Sequence, residues 1–427
     1  METASRLTQA DFSDLLQGMA LEKGTALAVA VSGGADSLAL TLLLGSWCRS
    51  QGIALTALTV DHGLRPAAAE EAQQVASWLS KYNIPHVTLT WQGDKPDSNI
   101  QDQARLARYR LMGKWCQDNG ISRLFLGHHQ GDQAETFLIR LFRGSGVDGL
   151  SAMKVRADFP VPLPGGASVT LCRPLLSVTK ERLEASLRHL QQPWIEDPSN
   201  RNDAFTRIKV RKLLQDSDID GLNPERLAQT AARMGRVQSL LQSLTAEVIT
   251  ASVTYFPHGY AEVWLEPLLA AHEEITLRAL AQLTRRISGG KYAPRLKRLE
   301  ALYDRLKQGD FAGQTLGGCL LSPLKENRLM ISREIAAIED EFTLEADKAL
   351  LWDGRFLIEG LTAGGVVKKI SQEQWRNVCQ DHPVLKKMKL PKVVRDSLPC
   401  LVIDKGKVNL PDFMPGFEKK GFSALFR

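Results

Sequence analysis

"ALAVAVSGGADS" (residues 26–37) decides the fold. Six small apolar residues run into Ser32, Gly33, Gly34, Ala35, Asp36 and Ser37, and a second apolar run, "LALTLLL" (38–44), follows at once. The first run has the length of a buried strand and the second continues as a helical pattern. A turn of this kind aims successive backbone N–H groups into one concavity, which also faces the positive end of the helix. Gly33 and Gly34 are expected to supply positive φ and close backbone approach. Ser32 and Ser37 offer hydroxyls, and Asp36 can hold Mg²⁺ that bridges phosphates. The natural guest is a phosphate-bearing ligand.

Two familiar phosphate loops are excluded. No lysine follows the glycines, as GK[ST] would require, and GxGxxG is absent.

Outward from the loop, β-rich runs alternate with helical patterns. Strands are expected at 26–31, 54–60, 86–91, 123–127 and 168–176, with helices at 37–50, 66–82, 100–118 and 133–143. This order argues for an α/β domain with a Rossmann-like parallel sheet, covered by helices on both faces. From 224 to 308 the pattern turns mostly helical, and a hairpin is expected from "TLGGCLL" and "RLMISRE". The last segment mixes β signals (351–360, 399–410) with a helical pattern at 371–388. The expected domains are 1–215, catalytic; 216–336, mostly helical; and 345–427, a small α+β C-terminal domain.

The chain has 427 residues, 44% hydrophobic and 24% charged, which fits a globular protein of two or three domains. No secretory signal is legible at the start, and the most apolar region is broken by Ser32, two glycines and Asp36, which argues against a membrane span. Six scattered cysteines without a CxxC pair fit reduced thiols in the cytoplasm and disfavour a cysteine-held metal. Residues 1–150 carry 13 Lys+Arg against 15 Asp+Glu, leaving 41 against 33 in the remainder. Cations concentrate in "RIKVRK" (207–212), "RRISGGKYAPRLKR" (285–298) and "KKMKLPK" (386–392), which could follow a phosphate backbone or be solvated helix faces.

Ligands of open α/β sheets bind beyond the carboxyl ends of the strands. The second strand ends in "VDHGLR" (60–65) and the fourth in "GHHQGDQAET" (127–136), while "ARLARYR" (104–110) places Arg105 and Arg108 three apart on one helix face. Each has a plainer reading. Asp132 could complement a helix dipole, His128 could be a core histidine, and the arginines could be surface partners. A zinc set of His128, His129 and Asp132 is conceivable, but its contiguous order fits no usual ligand spacing.

SGGxDS resembles the PP-loop of the N-type ATP pyrophosphatases, which split ATP between its α and β phosphates and adenylate an oxygen of a second substrate. With "DHGLR", "ARLARYR", "GHHQGDQAET", "RGSGVDGLSAM" (143–153), "RPLL" (173–176) and "WIEDPSN" (194–200) in order, the chain resembles the tRNA(Ile)-lysidine synthetase family over nearly its whole length. "TLGGC" and "LPKVVRDSLPCLV" (390–402) are similar to the later domains of longer members. Three positions depart from the family pattern. Gly131 stands where an acid is common, Gln101 where a glutamate is, and the segment 207–211 lacks the asparagine of "RNRIR".

The resemblance implies a carbon–nitrogen ligase that joins L-lysine to the wobble cytidine of tRNA(Ile) with a CAU anticodon, using ATP and Mg²⁺. It implies that Ser32, Gly33, Gly34, Ala35, Asp36 and Ser37 cradle the pyrophosphate. Asp36 and Asp132 would serve the metal, with Arg105, Arg108, His128 and Asp132 beside Asp36 in catalysis. The second and third domains would recognise and bind tRNA; homodimerisation is left open. The alternative is another PP-loop tRNA-modifying or amide-forming enzyme, of which the cysteine-dependent thiolases need clustered cysteines.

Overall fold

The computed structural model describes the chain except residues 1–4, 20, 65–66, 94, 96–98, 162, 164–167, 197–205, 340, 346–348, 360–363, 404–406, 418–421 and 427. Arg65 of "DHGLR" and the last four residues of "WIEDPSN" therefore lie outside the described residues. The chain divides into two compact units, 1–239 and 240–427.

The first unit begins with α1 (Gln9–Leu16), followed by β1 (Ala26–Ala30), α2 (Ala35–Gln51), β2 (Ala54–Asp61), α3 (Ala67–Ser80), β3 (His86–Thr90) and α4 (Ile100–Asp118). It continues through β4 (Arg123–Phe125), α5 (Gln130–Phe142), α6 (Val147–Leu150), β5 (Arg156–Asp158), β6 (Thr170–Cys172), α7 (Lys180–His189), α8 (Thr206–Asp216) and the start of α9 (Pro224–Ser252). The sheet order is β3-β2-β1-β4-β6-β5, parallel except for β5. Successive side chains of β1 explain why it is apolar on both faces. Leu27 and Val29 enter a core with Leu38, Leu42 and Leu183, whereas Ala28 joins Tyr109, Met112 and Leu171 on the opposite face. From β1 the chain winds outward to β3, then returns to place β4 on the other side of β1. That reversal opens a crevice at the carboxyl ends of β1 and β4.

The second unit holds antiparallel sheets. A five-stranded sheet runs in the order β7 (Val253–Phe256), β8 (Tyr260–Trp264), β11 (Arg328–Arg333), β10 (Cys319–Leu324), β9 (Gln314–Leu316). Leu280, Leu283, Leu302 and Leu306 of the helices at Glu273–Ser288 and Leu296–Gln308 pack with its strands in one core. A second core, including Trp352, Phe356 and Val367, joins a three-stranded and a four-stranded sheet between residues 342 and 426. The expected hairpin forms between β10 and β11, and "TLGG" closes a further one between β9 and β10. The helical run 224–308 is interrupted by the β7–β8 hairpin, because "VTYF" and "YAEVW" alternate around Pro257-His258-Gly259. Among the described residues no helix is long and apolar enough to cross a membrane. All six cysteines are buried and free, and burial pushes the thiols of Cys48, Cys116, Cys319 and Cys400 up to about 12.

Candidate active site

The loop after β1 is held by its own polar groups. The Ser32 amide donates to the Ser37 hydroxyl (3.1 Å), the two hydroxyls lie 3.2 Å apart, and Ser37 Oγ donates to the Gly34 carbonyl (3.1 Å). Only Gly33 uses the left-handed region, at φ 87°, whereas Gly34 caps α2 at φ −70°. A Cβ on Gly33 would meet Ile195 Cδ1 at 2.7 Å, and the Ile195 amide donates to the Gly33 carbonyl at 2.9 Å. The described part of "WIEDPSN" thus braces the loop from outside.

Asp36, in the first turn of α2, points into the crevice with Oδ1 enclosed and without a hydrogen-bond partner. Burial raises its carboxyl pKa; His129 and Lys180 offset part of the rise and Asp132 adds to it. Across the crevice, β4 feeds the start of α5. His129 caps this helix by accepting the Gly131 amide on Nδ1 (3.0 Å), while Asp132 Oδ2 accepts the His129 amide (3.0 Å). His129 Nε2 lies 3.7 Å from Asp36 Oδ2 and 3.7 Å from Asp132 Oδ2. Burial works against the Asp132 charge, but His129, His128, Arg207 and the His129 amide outweigh it and hold that carboxyl below its usual value. Two facing carboxylates are therefore pushed in opposite directions.

Asp36, His128 and Asp132 come together at the switch point. Of the two arginines, Arg105 lies within electrostatic reach of His128 and the buried Arg173 of "RPLL", whereas Arg108 acts on His62. The histidine between the carboxylates is His129, which the sequence motif does not distinguish from its neighbour.

Glu135 carries weight that its helix position alone does not announce. It is buried, and it accepts Arg207 Nε at 2.8 Å and Arg211 Nε at 2.7 Å, while Arg207 Nη2 also lies 3.6 Å from Asp132 Oδ1. "RIKVRK" therefore spends two of its cations on α5 rather than leaving them free for phosphates. The available signal was spacing: 207 and 211 are one helical turn apart, as are 132 and 135. "RGSGVDGLSAM" is folded back on the same helix, through Gln133 to both backbone groups of Met153 and through Arg140 to the carbonyls of Gly149 and Ala152.

His128 is held neutral. Burial pushes its pKa down to about 4, against the pull of Asp132. Because the folded value lies below the unfolded one, the unfolded chain takes up this proton first as pH falls. The stability involved is fully present above about pH 6.5 and is lost on the way down to about pH 4, a loss of about 3 kcal/mol. Thermal unfolding followed from pH 7.5 to 4.5 should show the decline, and His128→Gln should flatten it; an equally steep decline in the variant would refute the assignment.

Comparison with known proteins agrees with this geometry. A PP-loop domain model matches residues 5–217. The tRNA(Ile)-lysidine synthase of Wolbachia pipientis wMel is 35% identical over 398 residues, covering 90% of this chain and 88% of that protein. The enzyme of the same name from Ruegeria pomeroyi is 38% identical over 336 residues, covering 78% and 76%. That of Rhodopseudomonas palustris is 39% identical over 325 residues, covering 72% and 90%. With identity at this level across most of the aligned chains, and with a PP-loop at the switch point of its parallel sheet, the chain belongs to the tRNA(Ile)-lysidine synthase family of PP-loop enzymes.

Proposed function

We propose that the chain ligates L-lysine to C2 of the wobble cytidine of tRNA(Ile) with a CAU anticodon, through an adenylated cytidine, releasing pyrophosphate and AMP. One observation carries the reading: a lysine-free phosphate loop ends in a carboxylate whose enclosed oxygen lacks a partner, directly across from Asp132.

The cytosine C2 carbonyl has no leaving group, so its oxygen must first be adenylated. That oxygen attacks the α phosphorus of ATP and pyrophosphate departs. The lysine ε-amine then attacks C2, loses a proton, and AMP leaves with the oxygen. Ser32 to Ser37 cradle the departing pyrophosphate with backbone N–H groups and hydroxyls. Arg105 is the better placed arginine for charge developing on the α phosphate, with Arg108 one turn further along α4. The amine has an ordinary pKa near 10.4 and needs a proton acceptor; ionised Asp132 and neutral His128 are the groups at hand.

The donor set suits Mg²⁺. Among the described residues no group of three or more His, Cys, Asp or Glu side chains could hold a metal alone. Mg²⁺ commonly takes one or two carboxylates and completes its shell with phosphate oxygens and water. Asp36 and Asp132 would hold it, and when bound it supplies charge neutralisation for the pyrophosphate.

The cytidine must be splayed from the anticodon loop to be reached. The exposed cations of 285–298 and 386–392 suit tRNA phosphates, which supports a reading of 216–336 and 345–427 as the tRNA-recognition and tRNA-binding domains. Incubation with ATP, labelled L-lysine and tRNA transcripts tests the reading. Label should enter only the isoleucine transcript with the CAU anticodon, with one AMP per lysine. AMP release that ignores tRNA, or no incorporation, would overturn it.

A further inference from the structure

Gly131 is the second residue of α5, and its φ is not in the left-handed region. The backbone there asks for no glycine, and glycine is a poor helix residue because it gives up the most conformational freedom on folding. What the missing side chain provides is space. A Cβ at 131 would stand 2.8 Å from His129 Cε1 and 3.2 Å from Nδ1, so the imidazole lies folded back over the glycine. In that pose Nδ1 accepts the Gly131 amide, and His129 as a residue is only 8% exposed. A nitrogen that accepts a hydrogen bond carries no hydrogen, so the ring proton sits on Nε2 in this pose. Nε2 is the atom set between Asp36 and Asp132, 3.7 Å from an oxygen of each.

We propose that His129 is a positioning residue whose Nε2–H spans the carboxylates of Asp36 and Asp132, and that Gly131 is the room this pose requires. This rests on the function proposed above, and it assigns both residues a part in orienting the two acids. At 3.7 Å the contacts are longer than hydrogen bonds, and catalytic contacts commonly tighten only when substrate is bound. His129 is not the base: one ring nitrogen caps the helix and the other already holds the proton.

Gly131→Ala separates positioning from folding. Alanine favours the helix by about 1 kcal/mol, which offsets the cap lost when the ring is pushed out, so the melting temperature should stay about level, while kcat for lysine incorporation falls about tenfold with KM for tRNA within about twofold. In a His129→Ala background the same Gly131→Ala change should cost no further activity, because the ring it displaces is gone. Nitrogen-15 spectra of the histidine-labelled protein, with His129 assigned by its loss in His129→Asn, should show a bare Nδ1 and a protonated Nε2, and Gly131→Ala should shift both. Those spectra need no substrate. Failure of lysine incorporation in the unaltered protein would therefore overturn the function while leaving the tautomer to decide this inference. A protonated Nδ1 in the unaltered protein, or undiminished kcat in Gly131→Ala, would each overturn it.

Discussion

Asp36→Asn should cut tRNA-dependent AMP release by about 10²–10³-fold while raising the melting temperature. The two effects have one cause. Burial raises the pKa of Asp36 and leaves Oδ1 without a partner, so the ionised form of this carboxyl costs stability. Asparagine is nearly isosteric and removes that cost, together with the charge proposed to organise the pyrophosphate. Asp132→Asn should behave oppositely in stability. The carboxyl of Asp132 is held below its usual value, so it contributes stability that is present at neutral pH and lost as pH falls through its folded pKa. Its replacement should therefore lower the melting temperature along with turnover. Chromatographic AMP assays and scanning calorimetry on both variants check this; near-normal turnover in either removes that residue from the site.

Gly127→Ala should lower turnover by about 10²-fold and destabilise the first unit by about 1–3 kcal/mol. Gly127 follows β4, and a Cβ there would stand 2.9 Å from both Cα and N of Ser37 and 3.0 Å from the carbonyl carbon of Asp36. These are backbone atoms, so no rotamer change can make room. Either the end of β4 or the first turn of α2 must move, and the second carries the phosphate loop with it. The glycine is set by the approach of two elements, not by its own φ, which lies outside the left-handed region. The same assays apply, with ATP binding measured alongside; a folded Gly127→Ala protein with unaltered ATP affinity and turnover would show that the loop tolerates the shift.

Local pattern carried much of this molecule. Apolar runs of strand length alternating with helical periods announced the parallel sheet, and serines, glycines and an aspartate between β1 and α2 announced a phosphate site. These features depend on residues a few positions apart, where backbone geometry converts spacing directly into shape. The β7–β8 hairpin was legible in the same way but was covered by the longer helical periods around it.

Other features depend on residues that meet only after packing. That β4 lies beside β1, making one crevice of two loops, follows from the order in which strands pair. Glu135 meets Arg207 and Arg211 across 72 and 76 residues of chain, turning a run that reads as a phosphate grip into an anchor for α8. His128 and His129 are chemically identical in the sequence. One is held neutral and the other stands between two carboxylates, because capping α5 turned one ring toward Gly131. Which charges are buried together, and which glycine makes space for which neighbour, is settled by contacts in three dimensions that no period along the chain encodes.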